Sequence, residues 1–185
     1  MNKNTVIKAK AFKPGWITSN VSQKTFYKLG HRIDSAVLLK APDPKYTSKG
    51  AALLGDADLG DESTSSGKWL GYNSSEMPAL IYFDSAITLS SVTVNNLVNT
   101  GGHIMPPKLL EVWAGNDPGN LRLVKKLNPE QPLKDTSFIH GYEVDFSPVT
   151  EKYFKVVVYP VDKLPAWHRS KGEKGWVFLD EIFLN

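Results

Sequence analysis

At 185 residues and 41% hydrophobic content, the chain is long enough for one well-buried domain and too apolar for wholesale disorder. Its net charge of +3 hides an uneven split: residues 1–50 carry ten Lys/Arg against two acids, and residues 51–185 carry twelve against seventeen. An acidic larger part excludes a nucleic-acid footprint, and the absence of cysteine excludes a disulfide framework, a thiolate zinc site and a cysteine nucleophile.

The first predicted element is "VIKAKAF" at 6–12, where apolar and basic residues alternate with the period of a half-buried strand. "KPG" supplies the turn after it, and a second strand is expected over 21–27. Two strands cannot make a core, so this ribbon is expected to belong to an interrupted unit, and the abrupt start reads as a fragment of a longer chain. The character changes from "APDPKYTSKG" onward, and "LLGDADLGDESTSSG" reads as a long acidic loop ending near Trp69. Short β-rich runs follow at 79–83, 87–98, 109–114, 121–124, 141–146, 152–159 and 176–184, with Gly, Pro, Asn or Asp between them. Nothing reads as an amphipathic helix of three turns, and no apolar run approaches the roughly 18–20 residues of a membrane span. Many short strands with regular turns predict an all-β sandwich or barrel.

Four stretches carry candidate chemistry. The Asp180-Glu181 pair lies inside the last strand pattern. Consecutive strand residues point to opposite faces, so these two cannot form the facing pair, about 5–9.5 Å apart, that glycoside hydrolysis needs. The acidic loop offers Asp56, Asp58, Asp61, Glu62, Ser63 and Thr64, hard oxygens of the kind calcium takes, although a solvated acidic loop has the same composition. "PAWHRSKG" puts Trp167, His168 and Arg169 together in a loop, and "NTGGH" puts Asn99 and His103 in another. A flat aromatic with charged and amide groups around it suits a sugar, which has an apolar face and a hydroxyl rim. A tryptophan tucked against the sandwich edge beside a solvated histidine is the alternative. Trp69, Trp113 and Trp176 lie in or beside strand patterns and are expected in the core.

"KYTSKGAALLGDADLGDESTSSGKWLGY", "HIMPPKLLEVWAGND" and "GWVFLDEIFLN" together resemble the discoidin-like (factor V/VIII type C) domains, and among them the family 32 carbohydrate-binding modules of bacterial glycosidases. The resemblance covers about 37–185. Residues 1–30 resemble the end of the fibronectin III-like segment that precedes such modules in bacterial chitobiases and β-hexosaminidases, so the implied organisation is 1–36 as upstream tail and linker and 37–185 as the module. The resemblance implies a jelly-roll β-sandwich and one structural calcium ion with Asp56, Asp61, Ser63, Thr64 and Glu181 as candidate ligands. It also implies sugar recognition by loops at one end, with Asn99, His103, Trp167, His168 and Arg169 as the candidates. The expected function is non-catalytic targeting of a secreted, periplasmic or cell-surface glycoside hydrolase to an N-acetylhexosamine- or galactose-containing glycan, in company with the catalytic domain of the same chain. The rival is a packing domain that binds no sugar. The commonest family pattern has Asp-Gly where this chain has Asp56-Ala57, so the turn there is expected to differ.

Overall fold

The computed structural model describes residues 4–185. Among the described residues nine strands run β1 (Thr5–Ala9), β2 (Ser22–Phe26), β3 (Ser35–Leu38), β4 (Leu70–Tyr72), β5 (Met77–Asn99), β6 (Leu109–Gly115), β7 (Arg122–Leu127), β8 (Ser137–Tyr159) and β9 (Val177–Leu184). The runs read as separate strands at 79–83 and 87–98 are one strand, as are those at 141–146 and 152–159. β5 and β8 pair antiparallel from Met77↔Val158 to Asn99↔Ser137, with register breaks between Tyr82 and Ile87 and between Leu89 and Ser91. Those irregularities bend the ribbon and let its two halves serve two sheets. The first half of β5 joins β3 and the second half of β8, which leads to β6 and β7, a five-stranded sheet; the second half of β5 joins the first half of β8 on one side and β9, then β4, on the other, a four-stranded sheet.

The two sheets face each other as an all-β jelly-roll sandwich. Ile81, Val112, Phe154 and Val156 from one meet Val92, Val94, Leu179 and Ile182 from the other in a single buried cluster. Leu53 and Leu54 join it from a short 3-10 helix, Gly50–Gly55, inside the stretch read as a polar loop. Trp69 is fully buried, as expected, with Trp176 packed beside it. Trp113 is instead on the outer face, half-buried under the Lys155 ammonium, 4.6 Å from its ring. Alternation explains this: Leu110, Val112 and Ala114 point inward on β6, so Trp113 cannot. Gly71, in the Trp-x-Gly-aromatic step, is a close approach: a Cβ there would lie 2.9 Å from Tyr46 and 3.1 Å from the Phe178 ring.

β1 and β2 form a separate two-stranded sheet. The segment after it lies on the outer face of the four-stranded sheet: Tyr27 stacks on Phe183 with ring centroids 4.6 Å apart, and its hydroxyl donates to Asn95 Oδ1 at 2.9 Å. His31 then bridges to Leu184, and β3 spans the boundary expected between residues 36 and 37. Tyr27 needs Gly141 beneath it, since a Cβ there would sit 2.4 Å from Tyr27 Cε1. Gly141→Ala is therefore expected to lift Tyr27 off Phe183, at a cost of about 1–3 kcal/mol, and to speed proteolytic cutting within residues 10–21. Unchanged cutting and an unchanged melt would show that this contact does not hold the ribbon.

Candidate functional site

β9 holds the acidic pair, and its geometry departs from simple alternation. Val94 faces Ile182 and Asn96 faces Leu179, so two residues, Asp180 and Glu181, oppose the single Asn95. This is a β-bulge. The core side chains register it, being Val177 and Leu179 before the pair and Ile182 and Leu184 after it. The argument that consecutive residues must point to opposite faces does not hold at this step. A catalytic pair is disfavoured for another reason. Asp180 is wholly buried, its Oδ1 accepting from Asn95 Nδ2 at 2.8 Å and from the Glu181 amide at 2.7 Å, and its Oδ2 from the Gly60 amide. Burial pushes its carboxyl up to about 6 against those donors.

Glu181 is also buried, 2% exposed, and its Oε1 has no hydrogen-bond partner. Burial, then the neighbouring Asp56 carboxylate, then Asp180, push it up to about 8. Asp56 faces it from the end of the 3-10 helix and accepts from Lys49 Nζ at 2.7 Å; burial raises its carboxyl, but Lys49 and the Asp58 amide outweigh that and hold it low. Between them Ala57 takes φ +61°, a left-handed conformation glycine adopts freely. The alanine there carries the strain of that conformation.

A partnerless buried carboxylate oxygen beside a second carboxylate is costly and suits a hard divalent cation. Asp56 and Glu181 are thus the two of the five expected calcium ligands that lie together. Of the other expected ligands, Asp61 and Ser63 are engaged elsewhere. Asp61 Oδ1 accepts from the Ser63 amide at 2.9 Å, the Asp61 carbonyl from Trp69 Nε1 at 3.0 Å, and Ser63 Oγ lies 3.1 Å from Ser65 Oγ. Neither these nor Thr64 hydrogen-bonds to Asp56 or Glu181, and no group of three or more His, Asp or Glu side chains converges on one point among the described residues.

The two candidate sugar loops do meet. His168, only 3% exposed, places Nε2 2.7 Å from the Thr100 carbonyl and accepts from the Ser170 amide on Nδ1 at 3.0 Å. An acceptor at Nδ1 and a donor at Nε2 make it the neutral Nε2–H tautomer. His168 is thus a pin between loops 68 residues apart; being buried, it is not a surface contact as the sequence suggested. Arg169, exposed, repeats the link with Nη2 to the Gly101 carbonyl at 2.9 Å. Asn99 Oδ1 accepts from the Gly102 amide at 3.2 Å, shaping its own turn. His103 takes φ +67° and lies edge-on to His168, with Nδ1 3.8 Å from Glu173. Trp167 is half-buried against Met105, Val161 and Leu164, and its indole N–H donates to the Pro132 carbonyl at 3.0 Å. The edge-packing reading is correct for part of this ring. The surface so built presents His103, Arg169, Glu173 and the open part of Trp167. Sequence reasoning missed Glu173, Thr100 and Pro132, because partners of this kind carry no motif.

No family model and no curated protein matches the sequence. Solved structures share the fold. The CBM32 module of AlyQ, in complex with 4,5-unsaturated mannuronic acid, superposes with a TM-score of 0.52 at 15% identity over 84% of this chain and 96% of the module. A pectin-binding carbohydrate-binding module gives 0.51 at 16% identity, over 83% of this chain and 91% of its own. CpGH89CBM32-5 from Clostridium perfringens, in complex with GalNAc-β-1,3-galactose, gives 0.51 at 14%, over 81% and 93%. The chain has the β-sandwich fold of family 32 carbohydrate-binding modules.

Proposed function

We propose that this chain is a non-catalytic carbohydrate-binding module that uses the joined surface of residues 99–103 and 164–171 to hold an exported bacterial glycoside hydrolase, of chitobiase or β-hexosaminidase type, near its glycan. The observation that carries the reading is the pin: a buried neutral His168 spent on joining two distant loops under one face. Sugar complexes among structures of the same fold support it. A single weak site gains from being tethered to an enzyme. The glycan proposed is N-acetylhexosamine- or galactose-containing, and residues 1–36 are proposed as the tail of an upstream fibronectin III-like segment.

Chemical-shift titration with N-acetylglucosamine and galactose tests this. Shifts are expected to cluster on residues 99–103 and 164–171. Arg169→Ala should weaken binding by about 0.5–3 kcal/mol and change stability by no more than about 0.5 kcal/mol, being exposed. Absence of shifts there, with every glycan of an array, would remove the reading. Docking on a catalytic domain is the second reading, and one observation favours it. The outer face of the five-stranded sheet exposes Val37 (44%), Leu39 (52%) and Tyr82 (37%) near one edge and Leu123 (38%) beside Trp113 near the other.

A further inference from the structure

The N-terminal ribbon and the four-stranded sheet do not meet flush. Between them lies a cleft of about 390 Å³, within the roughly 300–1,000 Å³ of small-molecule sites. Tyr27 and Phe138 form its apolar walls, and Gln23, Lys24 and Glu62 stand at its mouth. We infer that this cleft binds a neutral hexopyranose, at a site separate from the loop surface and independent of the reading proposed for it.

Three features carry the inference. The first is preorganisation. Tyr27 is held by its stack on Phe183 and by its hydroxyl, which donates to Asn95 Oδ1; Asn95 Nδ2 in turn donates to Asp180. Asp180 is wholly buried and holds the ring through Asn95, which is buried too and belongs to the lining of the cleft. A wall fixed in this way lowers the ordering cost of binding. The second is shape and polarity. The Phe138 ring is 37% exposed, and aromatic walls suit the C–H face of a pyranose. The amide of Gln23, the ammonium of Lys24 and the carboxylate of Glu62 supply donors and acceptors for ring hydroxyls. The third is charge. Lys24 and Glu62 oppose each other in sign at the mouth, which favours a neutral ring over a uronic acid or a cationic amino sugar.

The experiment is an amide chemical-shift titration of the whole chain with glucose, galactose and mannose, and with glucuronic acid as the charged control. At least one neutral sugar should shift Thr25, Tyr27, Gly60 and Ile139. Phe138→Ala should weaken that binding about tenfold. Gln23→Ala and Glu62→Ala, both at exposed positions, should weaken it several-fold with an unchanged melt, which covers the case of Phe138→Ala disturbing the ribbon. Shifts confined to 99–103 and 164–171 would overturn the cleft and leave the loop reading standing. Shifts at the cleft would support the cleft site whatever the loops do, silence there with all three neutral sugars would overturn it, and tighter binding of glucuronic acid than of any neutral sugar would overturn the assigned class.

Discussion

His168→Ala is expected to destabilise the domain by about 2–4 kcal/mol and to abolish glycan binding by the paired loops. The imidazole is almost fully buried and satisfies two backbone groups, the Thr100 carbonyl and the Ser170 amide. Truncation leaves the Ser170 amide without its partner, at about 1–3 kcal/mol when buried, and leaves the Thr100 carbonyl with the His103 amide alone, at 2.9 Å. It also removes the ring against which His103 and Trp167 pack at 5.1 and 5.6 Å. The remaining tie, Arg169 to Gly101, is exposed and is worth less. A urea midpoint lowered with an unchanged slope would report lost stability of the same folded state, and amide shifts at residues 99–103 would report loss of the pin. A midpoint moved by less than about 0.5 kcal/mol, the scale of a surface change, would show that the loops hold without His168.

Excess calcium is expected to raise stability by about 2.7 kcal/mol over chelator at a hundredfold excess over Kd. Asp56 and Glu181 would hold the ion and tie the last strand to the acidic loop. The dependence on pH follows from the carboxyls. Glu181, pushed up to about 8, and Asp180, up to about 6, are both raised above their usual values of 4.5 and 3.8. A raised carboxyl stabilises the native state while it stays protonated. That contribution is complete below the unfolded-state values and is lost as pH rises through the native ones. In chelator the domain should therefore weaken between about pH 4.5 and pH 8. Calcium binds the ionised form, so its stabilisation should be larger at pH 8 than at pH 5.5. Glu181→Gln should remove the calcium shift and raise stability in chelator at pH 8. A melt identical in calcium and chelator at pH 8 would count decisively against the site.

Alternating apolar residues at 79–83, 109–114 and 152–159 were enough to read an all-β sandwich or barrel, because strand period and turn residues are local properties. The long antiparallel union of β5 and β8 was not legible. Both strands bend at irregularities, and the polar residues around 84–86 and 147–148 read as turns when they are bends in one ribbon. β3 and β4, four and three residues long, are too short for a period to declare itself. Leu53 and Leu54 were hidden in an acidic loop, since nothing local says that a 3-10 turn will drop them into the core.

The same division runs through the candidate sites. Composition alone determined that this protein would offer acidic loop oxygens, a terminal acidic pair and aromatic, cationic loops, and would have no thiol chemistry. Tertiary structure decided which of these meet. The bulge opposite Asn95 set Asp180 and Glu181 against strict alternation, brought Glu181 to Asp56 and left Asp61 and Ser63 to their own turn. Folding also buried His168 between carbonyl and amide and laid part of Trp167 on Met105. The physical reason is range. Periodicity and turn chemistry act over a few residues, whereas a register shift or a hydrogen bond across 68 residues exists only once the two sheets have closed on each other.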